Sequence, residues 1–239
     1  MTTQPESGDE DGAGAVGEHG SGEPDRALVR DATVATIKQL QRGYQQDVAM
    51  AVGAVARLRR EAGRPPHASP ASWGLDHMEE LTKRRYSELE EPASDSVIER
   101  EDTAVHLAVT LWALHQQSVR DQPMHDWHWP LGRAVRQLGA ARSGAADSGV
   151  SVEEFPPTIR KRFVRIGTAS DIETLGGRLR DMVTLLRAER IPLDYGRLAS
   201  QLLEWQYEHR QGDVRRAWGR EFHRAESAPA SNDQPTDDD

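Results

Sequence analysis

The chain has 239 residues, a net charge of −9 and no cysteine, which leaves room for one or two domains and excludes disulfides and thiolate metal sites. It shows no basic segment followed by an apolar run and no stretch near the ~18 to 20 apolar residues that span a bilayer, so the expectation is a protein of the reducing cytoplasm with no membrane contact. The negative charge sits at the ends: residues 1–25 carry seven acids and residues 227–239 four, with no Lys or Arg in either, so the remainder holds 30 bases against 28 acids.

Both acidic ends are too poor in apolar residues to offset their ordering entropy and are expected to be disordered tails. An acidic total therefore says nothing against a nucleic-acid partner, whose footprint would be a local basic surface.

Between the tails, apolar residues recur at spacings of three and four with little alternation, which predicts an all-α fold. Residues 26–62 read as one long helix or two joined near Gly43, stopped by Gly63, Pro65 and Pro66. Beyond Trp73 a helix is predicted over 75–91, within an acidic stretch that reads as a solvated face. Residues 97–117, with Val105, Leu107, Val109, Leu111, Trp112 and Leu114, read as a helix wrapped by others, the core of an N-terminal lobe over 26–122.

A break at Pro123 opens a C-terminal lobe over 123–226. Its predicted parts are a short helix over 131–138, a Gly- and Ala-rich loop over 140–157, and helices over 158–166, 171–190, 194–209 and 213–224. Pro192 and Gly212 separate the last three, and Asp194 is placed to cap the third of these four. This half is the basic one, with 17 bases against 12 acids from Trp127 to Arg224.

Ile159, Phe163 and Ile166 form one apolar stripe, so Lys161 and Arg165 point away from it while Arg160 and Arg162 flank it. Four cations in about two turns, with no acid among them, suit a polyanion. Arg216, Arg220 and Arg224 form an i, i+4, i+8 row opposite Val214, Ala217 and Trp218. Arg180 and Arg187 lie two turns apart on the next helix inward, Arg133 and Arg136 follow Trp129, and Arg100 begins the core helix.

His106, His115, His125 and His128 invite a metal site, but no H-E-x-x-H motif accompanies them. The segment His125-Asp126-Trp127-His128-Trp129 reads instead as a loop that wedges its indoles into the end of a bundle. No phosphate loop, nucleophile elbow or distinguishable pair of carboxylates is present, so no catalytic residue, metal or cofactor is expected.

The run Trp129-Pro130-Leu131-Gly132-Arg133-Ala134, then Arg160-Lys161-Arg162-Phe163, Leu179 to Leu186 and Pro192-Leu193-Asp194-Tyr195-Gly196-Arg197-Leu198 resembles the CasB family, the small subunit of the type I-E CRISPR surveillance complex Cascade. Ala54 to Arg60, Trp73-Gly74-Leu75 and Val214 to Trp218 extend the likeness over about residues 30 to 224.

The resemblance implies two helical lobes without enzymatic activity, present as a pair of copies beside other Cascade subunits, CRISPR RNA and target DNA with its displaced strand. It marks Arg133, Arg162 and Arg165, and less directly Arg100, as basic positions that help hold the DNA open. The acidic tails and the 140–149 insertion depart from the family pattern; the tails are expected to limit non-specific binding. Two other readings stay open: a scaffold that touches only protein, and a histidine metalloenzyme.

Overall fold

The computed structural model describes residues 25–66, 76–88, 93–144 and 151–224. The acidic tails, Trp73 and Gly74, both ends of the helix predicted over 75–91, and the second half of the 140–149 insertion lie outside them. Among the described residues the architecture is all-α, as predicted, with nine helices and one 3-10 turn.

Asp25 starts α1 (Arg26–Gln45) by accepting from the Ala27 and Leu28 amides at 2.8 and 3.0 Å, two of the donors that a first turn leaves unpaired. The joint predicted near Gly43 falls after Gln45, where Asp47 at φ 59° turns the chain into α2 (Ala49–Glu61). Gly43 stays inside α1 because a Cβ there would lie 2.7 Å from the Ala51 Cβ, so the glycine admits the close return of α2.

The helices α3 (Asp76–Glu88) and α4 (Asp95–Gln116) follow. Every residue of α4 from Ala104 to Gln116 is buried, because α1, α2, α3 and two later helices, α7 (Ile172–Ala188) and α8 (Tyr195–Trp205), all pack on it. This matches the predicted core helix.

The fifth helix, α5 (Leu131–Arg142), runs four residues past the end predicted for it. Its Gly132 lies against the last helix, α9 (Glu208–His223), where a Cβ would sit 2.3 Å from the Trp218 carbonyl oxygen. A 3-10 turn (Val152–Glu154) leads into α6 (Pro157–Gly167) and α7 (Ile172–Ala188). The N–H of Ile191 bonds Leu186 O and that of Arg190 bonds Arg187 O, with Arg190 at φ 56°, the paired closure that ends a helix before Pro192.

Asp194 caps α8 (Tyr195–Trp205) as predicted, accepting from the Arg197 amide at 3.0 Å. The break predicted at Gly212 is corrected: α8 ends at Trp205, α9 spans Glu208–His223, and Gly212 is helical. Side chains set this corner. Gln206 donates to Arg100 O and Leu202 O, Gln211 donates to Trp205 O, and Trp205 stacks on Trp218 at 5.4 Å.

The apolar core is continuous across the predicted lobe boundary near residue 123, since α8 packs on both α1 and α4. Among the described residues no helix is long and apolar enough to cross a membrane.

Candidate nucleic-acid interface

The short helix α6 is anchored on one side only. Ile159 and Ile166 are buried, and Phe163 is half-buried against Phe222 with ring centroids 4.7 Å apart. Lys161, Arg162 and Arg165 stand on the exposed side. Arg162 reaches Asp181 of α7 at 3.7 Å, an exposed pair that water and salt screen.

Two cations that sequence reasoning missed join this face. Arg178 of α7 donates to the Arg165 carbonyl, and Arg215 of α9 donates to the Gly167 carbonyl at 2.8 Å. Both satisfy acceptors that a helix C-terminus leaves open, and both favour its negative dipole end. Neither belongs to the α6 sequence cluster; packing brings them there.

Between α6 and α9 lies a groove of about 460 Å³ lined by Phe163, Val164, Arg215, Trp218 and Phe222. Arg160 also lines it, and its Nε is buried with no hydrogen-bond partner. Arg216, Arg220 and Arg224 are exposed on the outer side of α9 while Val214 and Trp218 are buried, as their spacing predicts. Arg216 is paired with Asp213.

The other nominated arginines lie elsewhere. Arg133 sits 4.6 Å over the Trp129 ring and donates to His128 O at 3.0 Å. Arg136, one turn along α5, donates to Phe222 O at the end of α9. Arg100 lies 4.7 Å over the Tyr207 ring in a cleft of about 470 Å³ that also holds Glu99, Asp171 and Glu173.

Arg180 is exposed on α7, its stem running past Gly63. Arg187 shares that helical face, but its guanidinium turns inward to Leu114 O and the Gln117 Oε1 at 3.3 and 3.0 Å, tying α7 to α4.

The histidines belong to the core more than to a ligand set. His77 and His106 are fully buried with Nε2 and Nδ1 3.2 Å apart, and His115 Nδ1 lies 2.8 Å from the Tyr195 hydroxyl. Burial holds His77 and His115 down at about 3. His125 Nδ1 accepts from the Tyr195 amide. Among the described residues, no group of three or more His, Cys, Asp or Glu could hold a metal ion.

One reading of the His125 segment is overturned. Its indoles are not both wedged inward: Trp129 is half-buried, whereas Trp127 is 71% exposed and lies tilted at 32° against His128.

The model of the family described as CRISPR-associated protein Cse2 matches residues 54–223. Among solved structures the chain is similar to CasB from Thermobifida fusca, with 38% identity over 83% of this chain and 99% of that one and a TM-score of 0.68.

It shares its fold with a CRISPR-associated protein of the Cse2 family from Thermus thermophilus, at 22% identity, 84% and 98% coverage and a TM-score of 0.53. It also shares it with a chain of a CRISPR RNA-guided surveillance complex, at 19% identity, 81% and 95% coverage and a TM-score of 0.52. Among curated proteins none matches.

Proposed function

The chain belongs to the Cse2 family of CRISPR-associated proteins, and from that membership we propose that it is the small, non-catalytic subunit of a Cascade surveillance complex. In this reading it contacts the phosphate backbones of CRISPR RNA and target DNA, including the displaced strand, and so stabilises the opened target. It works in the cytoplasm, beside the other subunits and a second copy of itself.

The observation that carries the reading is the face built on α6. Lys161, Arg162 and Arg165 are exposed on one helix, and Arg178 and Arg215 converge on its C-terminal end from two others. Cations so grouped neutralise phosphates without reading bases. Exchange of duplex for guide heteroduplex is near balance, so modest backbone contacts shift it. In this reading Arg160 in the groove beside α6, Arg216 and Arg220 on the exposed side of α9, Arg133 and Arg136 on α5, and Arg100, Arg180 and Arg187 add further cations to the phosphate contacts.

The test is binding of single-stranded DNA against salt, for the full chain and for Lys161→Ala, Arg162→Ala and Arg165→Ala combined. All three side chains are exposed, so the circular dichroism spectrum stays unchanged. Each lost contact removes ~0.7 from the slope of log K against log salt, about 2 in all. Equal affinity and slope in a folded variant would mean that these cations serve protein partners, the scaffold reading.

A further inference from the structure

Trp127 stands apart from the other described tryptophans. Trp112, Trp205 and Trp218 are fully buried and Trp129 is half-buried, yet Trp127 leaves 71% of its surface in water. The exposure is not that of a loose loop.

Leu193 N–H donates to Met124 O at 3.1 Å and Asp126 N–H to Leu193 O at 3.3 Å, while Asp194 N–H donates to Trp129 O at 2.7 Å. Met124 and Leu193 are themselves completely buried. Within the turn, Trp129 N–H bonds Asp126 O, and the Asp126 carboxylate accepts from the His128 amide at 3.0 Å and meets His128 Nδ1 at 2.8 Å. The backbone on both sides of the indole is therefore fixed, and the indole lies against the His128 imidazole, the two rings tilted by 32° with centroids 3.4 Å apart. The rest of the ring is left to solvent.

Cations continue from this ring in one direction. Arg133 lies over Trp129 and holds His128 O, and Arg136, one turn further along α5, reaches Phe222 O. Phe222 lines the groove between α6 and α9. An exposed ring thus stands at one end of an arginine pair that leads to the groove between α6 and α9, which Arg160 and Arg215 also line.

We propose that Trp127, backed by His128, is a stacking post for an unpaired nucleobase of a single strand whose phosphates run along Arg133 and Arg136. The inference rests on the nucleic-acid reading above and adds to it a second kind of contact, carried by a base instead of a phosphate. An indole offers its π face to any base, so the post is indifferent to sequence. Flanking by Asp126, His128 and Arg133 suits the edge-polar, flat-faced surface of a base.

The proposal is tested on the full chain with two probes of equal phosphate count, an oligothymidylate and the same oligomer built from abasic sites. Stacking is independent of counterion release, so Trp127→Ala weakens oligothymidylate binding by roughly 5- to 100-fold at every salt concentration, with an unchanged salt slope. It leaves the abasic oligomer unaffected, and Trp127→Phe keeps most of the affinity.

Equal oligothymidylate binding by Trp127→Ala and the unaltered chain overturns the post, as does an equal loss on both oligomers. Loss of entry into the assembled complex with DNA binding intact also overturns it, and makes the indole a protein contact. An unaltered chain that binds neither oligomer takes down the nucleic-acid reading and this inference together, whereas a loss confined to the base-bearing oligomer supports this one specifically.

Discussion

His77 and His106 can share a hydrogen bond only while one ring nitrogen donates and the other accepts, so the pair is incompatible with double protonation. Burial keeps His77 and His115 near 3, whereas an unfolded histidine titrates at about 6.5. The folded state therefore binds fewer protons than the unfolded one below pH 6.5. Stability is complete above that value and falls as pH drops toward 3, at ~1 kcal/mol per pH unit for each histidine. Glu101 and Glu221, whose carboxyls burial pushes up, oppose the loss lower in the window, because there the folded state takes up the protons first. Urea midpoints measured from pH 7.5 to 5 are expected to begin falling near 6.5 and to fall more steeply toward 5, as the unfolded histidines become fully protonated, and His115→Gln to flatten the fall. A midpoint constant across that range would contradict the buried neutral rings.

At the scale of elements, α3 is docked by charge as well as by Leu81. Arg85 of α3 donates twice to Glu101 Oε2, at 3.0 and 2.9 Å, and once to Asp102 Oδ1 at 3.0 Å. Glu101 is buried at 1% exposure, so Arg85→Ala strands a carboxylate inside the protein. The expected loss is about 3 to 5 kcal/mol in urea unfolding. Arg84→Ala, which breaks an i, i+4 pair with Glu80 on the same helix, changes stability by less than ~1 kcal/mol. Equal effects from the two would contradict the docking role.

The helices themselves were legible in the sequence because their buried stripes recur with helical period, as in α1, α4 and α7. Their ends were less so. Glycine marked both misplaced joints, but Gly43 serves a close approach to Ala51, and Gly212 lies inside a helix whose start is set by Gln206, Gln211 and the stacked indoles. Spacing along one helix carries no information about contacts made by another.

For the whole molecule the same limit applies to the candidate interface. The density of cations on α6 was visible in the run from Arg160 to Arg165. Arg178 and Arg215 were not, since they come from other helices and reach that face by capping the end of α6. Arg187, nominated by its spacing with Arg180, is bound to the α4 terminus, a partner 73 residues away in sequence. The aromatic company of Trp127 points to burial, and only the backbone pairing of its loop with Leu193 and Asp194 shows how it is held at the surface.

The most direct test of the central claim is target binding by an assembled surveillance complex, with its guide RNA, that carries Lys161→Ala, Arg162→Ala and Arg165→Ala in this subunit. The complex is expected to form with unchanged subunit stoichiometry. Target affinity is expected to fall on the order of tenfold at physiological salt, and the displaced strand to become more accessible to a single-strand nuclease. Unchanged target binding and strand protection in a fully assembled complex, or failure of the subunit to join it at all, would contradict a nucleic-acid role for the α6 face.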